Sequence, residues 1–74
     1  MLKTLKEARR HKGLTQAQFG EIIGISQQEV AAYETGVRRP RHDVMRRIQV
    51  ALDLSGEDMW RMFFDSEQDG GRQT

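Results

Sequence analysis

The sequence contains no cysteine, a single proline and no apolar run longer than a few residues. Without cysteine, neither a disulfide framework nor a thiolate zinc site can strengthen the core, and a cytoplasmic setting is expected. The apolar runs are too short for a membrane span or a signal peptide. A chain of 74 residues supports one small domain, so we expect no deep catalytic pocket and predict that the protein is not an enzyme.

Signals for a metal or a cofactor are missing as well. The two histidines, His11 and His42, have no metal-ligand spacing with each other or with carboxylates, and no glycine-rich phosphate loop is present. We therefore predict that the protein uses no metal and no cofactor, and that its stability comes from helix packing.

Charge is distributed unevenly along the chain. The net charge is only +1, but residues 1–50 carry ten Lys and Arg against five Asp and Glu, whereas residues 51–74 carry two against six. The first part therefore has a net charge of +5 and the second a net charge of −4. The basic part is the one that would meet the phosphates of a nucleic acid.

Glycines and hydroxyl residues mark alternating ends and starts of helices. Three glycines lie eleven and twelve residues apart, each after good helix formers, which is how helices end at a left-handed residue. Thr15 and Ser26 follow the first two glycines, and Gln18 and Glu29 come three residues after them, which is the pattern of a capping box. The glycines are Gly13, Gly24 and Gly36.

Apolar residues recur with the helical period of about 3.6, and no alternating β pattern competes with them. We predict an all-α domain over residues 1–64, with Ile22 and Trp60 on the apolar faces of their helices, and a disordered acidic tail over residues 65–74. Pro40 is expected in a connection or at a helix start, because it lacks the N–H that an interior position needs. Helices are predicted at residues 2–12, 16–23, 27–35, 42–52 and 56–64.

Residues 16–35 carry the strongest functional signal. They are predicted to form two helices joined by a tight turn at Gly24-Ile25-Ser26, which is the helix-turn-helix geometry. Gly20 lies in the middle of the first of these helices, where glycine costs about 0.5 to 1 kcal/mol relative to alanine. Its missing side chain predicts that another helix crosses close by, with Val30 as the contact.

The second helix of this pair is predicted to contact bases in the major groove of duplex DNA. Gln27 and Gln28 lie in its first turn, where free backbone N–H groups attract phosphate. A glutamine amide can pair with N6 and N7 of adenine, and alanine can pack on a thymine methyl group. Helical geometry predicts an outward face formed by Gln28, Ala31, Ala32 and Thr35, on the side opposite Val30, Tyr33 and Glu34.

A set of residues around the turn matches the pattern of a known family, namely Leu14-Thr15-Gln16, Gly24, Gln27-Gln28, Tyr33-Glu34-Thr35-Gly36 and Pro40. Over about residues 2–64 the chain resembles the lambda-repressor and Cro-type (XRE-like) helix-turn-helix family. The resemblance implies a compact five-helix, lambda-repressor-like DNA-binding domain that is usually dimeric on DNA.

The resemblance also assigns roles to individual residues. It implies that Gln16 holds a backbone phosphate and that Gln27 and Gln28 reach base edges. It places Ala32 at another base-contacting position, and Arg41 near the DNA backbone or the minor groove.

Four more charged residues belong to the predicted site. The family pattern implies a structural ion pair between Arg9 and Glu34. Arg38 and Arg39 directly follow the second helix of the pair, together with Arg41, and this placement favours neutralisation of phosphates over a merely solvated loop.

The chain departs from the family pattern at several positions. Gly20 stands where the family usually has alanine, and Asp53 where it usually has glycine. Ala31 and Ala32 replace side chains that are often polar. Direct recognition of bases is therefore expected to depend on the two glutamines and on DNA shape.

The last predicted helix carries an apolar stripe that exceeds one helix's share of so small a core. Two uses remain open, namely packing within the core and a contact between two copies of the chain. We favour a dimer contact that includes Met59, Trp60, Phe63 and Phe64.

Two functions follow as hypotheses. The first is a sequence-specific transcriptional regulator, in particular a repressor, that acts as a homodimer on a roughly palindromic site in double-stranded DNA. The second is an antitoxin that binds a toxin-like protein through residues 65–69 or the apolar stripe, and also binds its own operator. Either is expected in a bacterial or phage-encoded, cytoplasmic and nucleoid-associated setting, away from membranes. A pure interaction domain without DNA contact is a third possibility.

Overall fold

In the computed structural model, residues 2–64 are described, and they form five α-helices without a strand. The prediction of an all-α fold is confirmed. The predicted disordered tail, residues 65–74, lies outside the described residues. The helices are α1 (Leu5–His11), α2 (Gln16–Ile23), α3 (Gln27–Thr35), α4 (His42–Leu52) and α5 (Gly56–Phe63).

Helix α1 begins later than predicted, because Thr4 caps it. The Thr4 hydroxyl accepts the Glu7 N–H at 3.1 Å, and the Glu7 carboxylate accepts the N–H groups of Lys3 and Thr4 at 2.8 and 3.3 Å. The Lys3 N–H holds the pKa of Glu7 below its usual value. The predicted start at residue 2 was wrong, because this capping box, which is visible in the sequence, sets the start of α1.

The two predicted capping boxes differ in outcome. At α2, Thr15 and Gln18 exchange both hydrogen bonds, at 2.9 and 3.0 Å. At α3, the Ser26 hydroxyl accepts the Glu29 N–H at 3.1 Å, but the Glu29 carboxylate accepts from Arg38 instead of from Ser26. The second half of that box was therefore wrongly predicted, because a local rule takes no account of an arginine nine residues further along the chain.

An aspartate whose backbone has the left-handed helical conformation ends α4. Asp53 has φ 55°, in the conformation that Gly24 and Gly36 adopt at the ends of α2 and α3, with φ 80° and 81°. The backbone here therefore has the shape that a glycine favours, although the residue is not glycine. Ser55 then begins α5 in a capping box with Asp58, and the Ser55 N–H lowers the pKa of Asp58.

The core lies where α2 packs against α3 and α4, while α1 packs against α3. Its centre is formed by the three largest fully buried side chains, Phe19, Val30 and Ile48, from three different helices. Around them lie Leu5, Ala8, Ile23, Val44, Leu52, Leu54 and Met59.

Two side chains on the predicted apolar faces do not join the core. Ile22 is 58% exposed and Trp60 is 59% exposed. A helix this short needs only one buried stripe, and in α2 Phe19 and Ile23 form it, so Ile22 is left outside.

The bare α-carbon of Gly20 accommodates the turn after α2, because the three atoms nearest to a Cβ at this position belong to the backbone of that turn and not to Val30, the contact that was predicted. A Cβ built on Gly20 would lie 2.6 Å from the Ile25 carbonyl oxygen and 3.4 Å from the Ser26 backbone. The Gly20 carbonyl in turn accepts the N–H groups of Gly24 and Ile25, both at 2.8 Å. Gly20 is therefore needed because the chain folds back onto α2 at this point.

Gly20→Ala is expected to lower the free energy of unfolding by about 1 to 2 kcal/mol, measured by chemical denaturation. Displacing the Ile25 carbonyl destabilises the turn by more than the better helix propensity of alanine contributes. Gly56→Ala is the matched control, since a Cβ there meets nothing within 4 Å, and it should leave stability unchanged or raised. A Gly20→Ala variant as stable as the parent would contradict this account of the turn.

Candidate nucleic-acid interface

Helix α3 presents a polar end and a small middle to solvent. Gln27 and Gln28 in its first turn are exposed, Ala31 and Ala32 are half-buried, and Thr35 near its end is exposed. The Thr35 hydroxyl donates to the Ala32 carbonyl at 3.3 Å. The structure thus brings all five predicted base-contacting residues together on one short helix.

A carboxylate also lies in the first turn of α3, and an arginine balances its charge. Glu29 is half-buried, and its Oε2 lies 3.2 Å from Nη1 of Arg38. This contact joins the helix to the loop that follows it. Arg38 therefore neutralises a protein carboxylate in the free molecule, in addition to its predicted role at a phosphate.

A buried ion pair holds α3 against α1. Arg9 and Glu34 pair through two hydrogen bonds, the longer of them 3.3 Å, and their side chains are only 7% and 3% exposed. Arg9 donates a third hydrogen bond to the Leu14 carbonyl at 2.7 Å. Since Leu14 precedes α2, this one guanidinium connects the start of the motif to its second helix.

Gln16 belongs to the same network. Its Nε2 donates to Oε1 of Glu34 at 3.0 Å, so the side chain predicted to hold a phosphate is oriented by the ion pair. A glutamine amide has two N–H donors, and one remains for a ligand. The ion pair therefore positions two elements of the candidate site, namely α3 and the first residue of α2.

Three arginines lie in or at the end of the loop between α3 and α4. Together with Glu29, Tyr33 and Val44 they line a cavity of about 250 Å³. Burial raises the pKa of Tyr33, and the nearby Glu29 carboxylate raises it further, so the Tyr33 hydroxyl remains a hydrogen-bond donor. The arginines are Arg38, Arg39 and Arg41.

The three arginines differ in how strongly the protein engages them. Arg39 lies over the ring of Phe64, 5.2 Å from its centroid. Arg41 is 87% exposed, and its only ion-pair contact within residues 2–64 is Asp43 at 4.0 Å. Arg41 is therefore the cation of this loop that is most available to a phosphate.

Comparison with known families identifies the family to which this chain of five helices belongs. A helix-turn-helix family model matches residues 5–59, which span α1 to the first half of α5. The chain belongs to the Cro-type (XRE-like) helix-turn-helix family. The matched part includes every predicted DNA-contacting residue of this helix-turn-helix protein and the Arg9–Glu34 ion pair.

Curated relatives come from distant organisms. An uncharacterized HTH-type transcriptional regulator of Bacillus subtilis, YqaE, is 33% identical over 85% of the chain and 60% of its own length. A protein of Methanocaldococcus jannaschii named as an HTH-type transcriptional regulatory protein is 35% identical over 70% of the chain and 16% of its own length. The endothelial differentiation-related factor 1 homolog of Danio rerio is 36% identical over 77% of the chain and 40% of its own length.

The chain thus spans less than two thirds of each of these relatives. No solved structure matches it significantly.

The predicted dimer stripe of this helix-turn-helix protein divides between core and surface. Met59 is buried in the core, so its predicted place in a dimer contact was wrong. Phe63 is half-buried and packs against the core, whereas Trp60 is exposed and Phe64 lies at the surface beside it. The Trp60 and Phe64 rings stack, with centroids 5.6 Å apart and planes 21° apart. Only these two residues present a substantial apolar surface from the stripe.

Arg47 supports the turn of the motif, and sequence reasoning missed it. Its Nη1 donates to the Ile23 carbonyl at 3.3 Å, where α2 ends, and its Nη2 lies 3.8 Å from Asp43. The Asp43–Arg47 spacing of four residues is visible in the sequence. The contact with α2 has no sequence signal, because it arises from packing between helices.

Neither a metal site nor a membrane span is found in the described part of the chain. Across residues 2–64, no three His, Cys, Asp or Glu side chains are grouped as a metal site would require. None of the helices described there has the length and apolarity to span a bilayer.

Proposed function

We propose that this protein is a sequence-specific DNA-binding regulator of transcription, and that it places α3 in the major groove. The observation that carries the proposal is the exposure of Gln27 and Gln28 at the N-terminal end of a helix that a buried ion pair holds in place. Membership of the helix-turn-helix family and two relatives named as transcriptional regulators support it.

Base recognition in this proposal depends on the first turn of α3. Gln28 pairs in bidentate fashion with an adenine, and Gln27 contacts an adjacent base or phosphate. Ala31 and Ala32 lack bulk, so they allow the helix to approach the groove closely and can pack on thymine methyl groups. Thr35 lies further along the same exposed face.

Phosphate contacts in this proposal come from both sides of the motif. Gln16 offers the N–H that Glu34 does not use. Arg41 and Arg39 approach the backbone from the loop, and Arg38 joins them while it neutralises Glu29. Because the ion pair positions Gln16 and α3 together, phosphate binding fixes the register of the base-contacting side chains.

The regulator is proposed to bind as a homodimer through Trp60 and Phe64. Two large exposed rings that stack on each other form an apolar surface that a second copy can cover. A two-fold dimer places the two α3 helices about 34 Å apart, one turn of B-DNA. Repression then follows from occupancy of a site that polymerase needs.

Selection from a random pool of duplexes tests the proposed function. With the purified protein at a salt concentration of about 0.1 M, we expect an enriched motif of two inverted halves whose centres lie about one helical turn apart. Enrichment of a single half-site would support base recognition and contradict the proposed dimer. A pool with no enriched sequence would reject sequence-specific binding.

Arg41→Ala is expected to weaken binding to every duplex by a similar factor, because a phosphate contact carries no sequence information. The slope of log affinity against log salt concentration should become less steep by about 0.9, measured by fluorescence anisotropy in a salt series. Arg10→Ala, which removes an exposed arginine from α1, is the matched control and should leave the slope unchanged. A loss confined to the selected site would contradict the phosphate role of Arg41.

The antitoxin function stays a prediction. The acidic residues 65–69 on which it partly depends lie outside the described residues. Of the apolar stripe, Trp60 and Phe64 are the residues that a toxin-like partner could cover.

A further inference from the structure

A second apolar surface lies between α2 and α4, whereas Gln27 and Gln28 lie on α3. It is a groove of about 430 Å³. Ile22 at one wall is 58% exposed and Val50 at the other is 80% exposed, so neither is needed for the core. The groove is lined by Ile22, Ile23, Arg46, Arg47, Val50 and Ala51.

The rim of this groove is positively charged. Arg46 is exposed and has no ion-pair partner within residues 2–64. The Arg47 guanidinium contacts Asp43 and the Ile23 carbonyl, yet the side chain remains 52% exposed. Apolar walls beside one free and one partly free guanidinium favour an occupant that has both apolar groups and carboxylates.

A second copy of this chain and the chain's own residues 65–74 both fit the groove poorly. A two-fold dimer through the groove would bring the same surface of each copy together, and hence four guanidinium groups. Asp43 already pairs with Arg47, and helical geometry places Glu21 on the opposite side of α2 from Ile22 and Ile23. Asp53 lies at the end of α4, outside the lining of the groove. Residues 65–74 are acidic but contain no apolar side chain that could fill the groove.

We propose that this groove binds an acidic amphipathic helix of another protein. The apolar face of the helix would cover Ile22 and Val50, and a carboxylate on its flank would pair with Arg46. Such helices dock through apolar side chains spaced three, four and seven residues apart. This inference goes beyond DNA recognition and holds whether or not α3 contacts bases.

The probe is a designed helical peptide of about 16 residues, with leucines on one face and glutamates beside them. Its matched control is the same peptide with lysines in place of the glutamates. Amide resonances of the ¹⁵N-labelled full chain should shift around Ile22, Ile23, Val50 and Ala51, and the glutamate peptide should bind at least about tenfold more tightly. That difference should shrink as salt is added.

Two variants separate this groove from the DNA site. The double variant Ile22→Gln, Val50→Gln should lose the glutamate peptide while it keeps its fold and its affinity for duplex DNA. Arg46→Gln should reduce the preference for glutamate over lysine. Failure of DNA binding in the parent protein would leave the peptide measurements unaffected, so the two proposals can fail separately.

Four results with the peptides and the variants would overturn the proposal. They are the absence of any shift, equal affinity for the two peptides, shifts centred on Trp60 and Phe64 instead, and loss of duplex binding in the double variant. Sedimentation of the free protein addresses the second-copy alternative. If the chain self-associates and the double variant does not, the groove is an interface between copies and the proposal is wrong.

Discussion

Arg9→Met is expected to lower the free energy of unfolding by about 3 to 5 kcal/mol, because it leaves the Glu34 carboxylate buried without its cation. Small domains are stable by about 5 to 15 kcal/mol, so the loss removes much of the total. Methionine occupies a similar volume, which limits the contribution of a cavity. Denaturant titration of the purified variant measures the change.

The double variant Arg9→Met, Glu34→Leu is the control for this effect. It removes both charges and should recover most of the lost stability, since a buried ion pair exchanged for apolar groups is often neutral or better. Recovery is expected to be incomplete, because the Leu14 carbonyl and the Gln16 amide lose their partners. A single variant that loses less than about 1 kcal/mol would show that water reaches Glu34 and that the pair does not hold α3.

Gln28→Ala is expected to reduce the affinity for the selected duplex by about 1 to 3 kcal/mol, and to leave affinity for a random duplex unchanged. Alanine keeps the helix intact, so the loss reports the amide and its pairing with a base. Competition titrations at one fixed salt concentration measure both affinities. Gln49→Ala, in α4, is the matched control and should change neither.

One result with Gln28→Ala would contradict the proposed base contact. An equal loss on the selected and the random duplex would mean that Gln28 contacts the backbone, and its role in base recognition would be rejected. Selection repeated with the variant should also relax the sequence preference at one position of each half-site.

Much of the fold was predictable because its signals are local. The bounds of α2, α3 and α4 agree with the predicted ranges. Hydroxyl caps and left-handed glycines mark the ends of α2 and α3, whereas α4 begins without a side-chain cap and ends at the left-handed Asp53. The start of α1 was missed although Thr4 and Glu7 form the same kind of signal. The apolar period continues back to Leu2, but the cap at Thr4, and not the period, sets the start of the helix.

The errors that remain involve contacts distant in sequence. Glu29 pairs with Arg38 because the loop after α3 turns back on it, and no capping rule includes that return. Met59 is buried and Trp60 exposed because the packing of α5 decides which part of its stripe faces the core. Periodicity alone does not fix the rotation of so short a helix.

The candidate site divides in the same way. The exposure of Gln28 follows from the helical pattern, because Val30 on the opposite side of α3 must face inward. Gln27 comes three residues before Val30 and so lies on the same side of the helix, and its exposure does not follow from this pattern. The hydrogen bond from Gln16 to Glu34 and the position of Arg47 beside Ile23 depend on packing between helices. Base and phosphate contacts themselves stay predictions.

The central claim is that the first turn of α3 meets nucleobases, and the side-chain amide resonances of Gln27 and Gln28 report on it directly. In a ¹⁵N-labelled protein titrated with the selected duplex, we expect the Gln28 amide signals to shift strongly, and replacement of the contacted adenine by 7-deazaadenine to reverse that shift. If both side-chain amides keep their free positions while the arginines of the loop after α3 respond, the protein binds DNA without base contacts from this helix and the account is wrong.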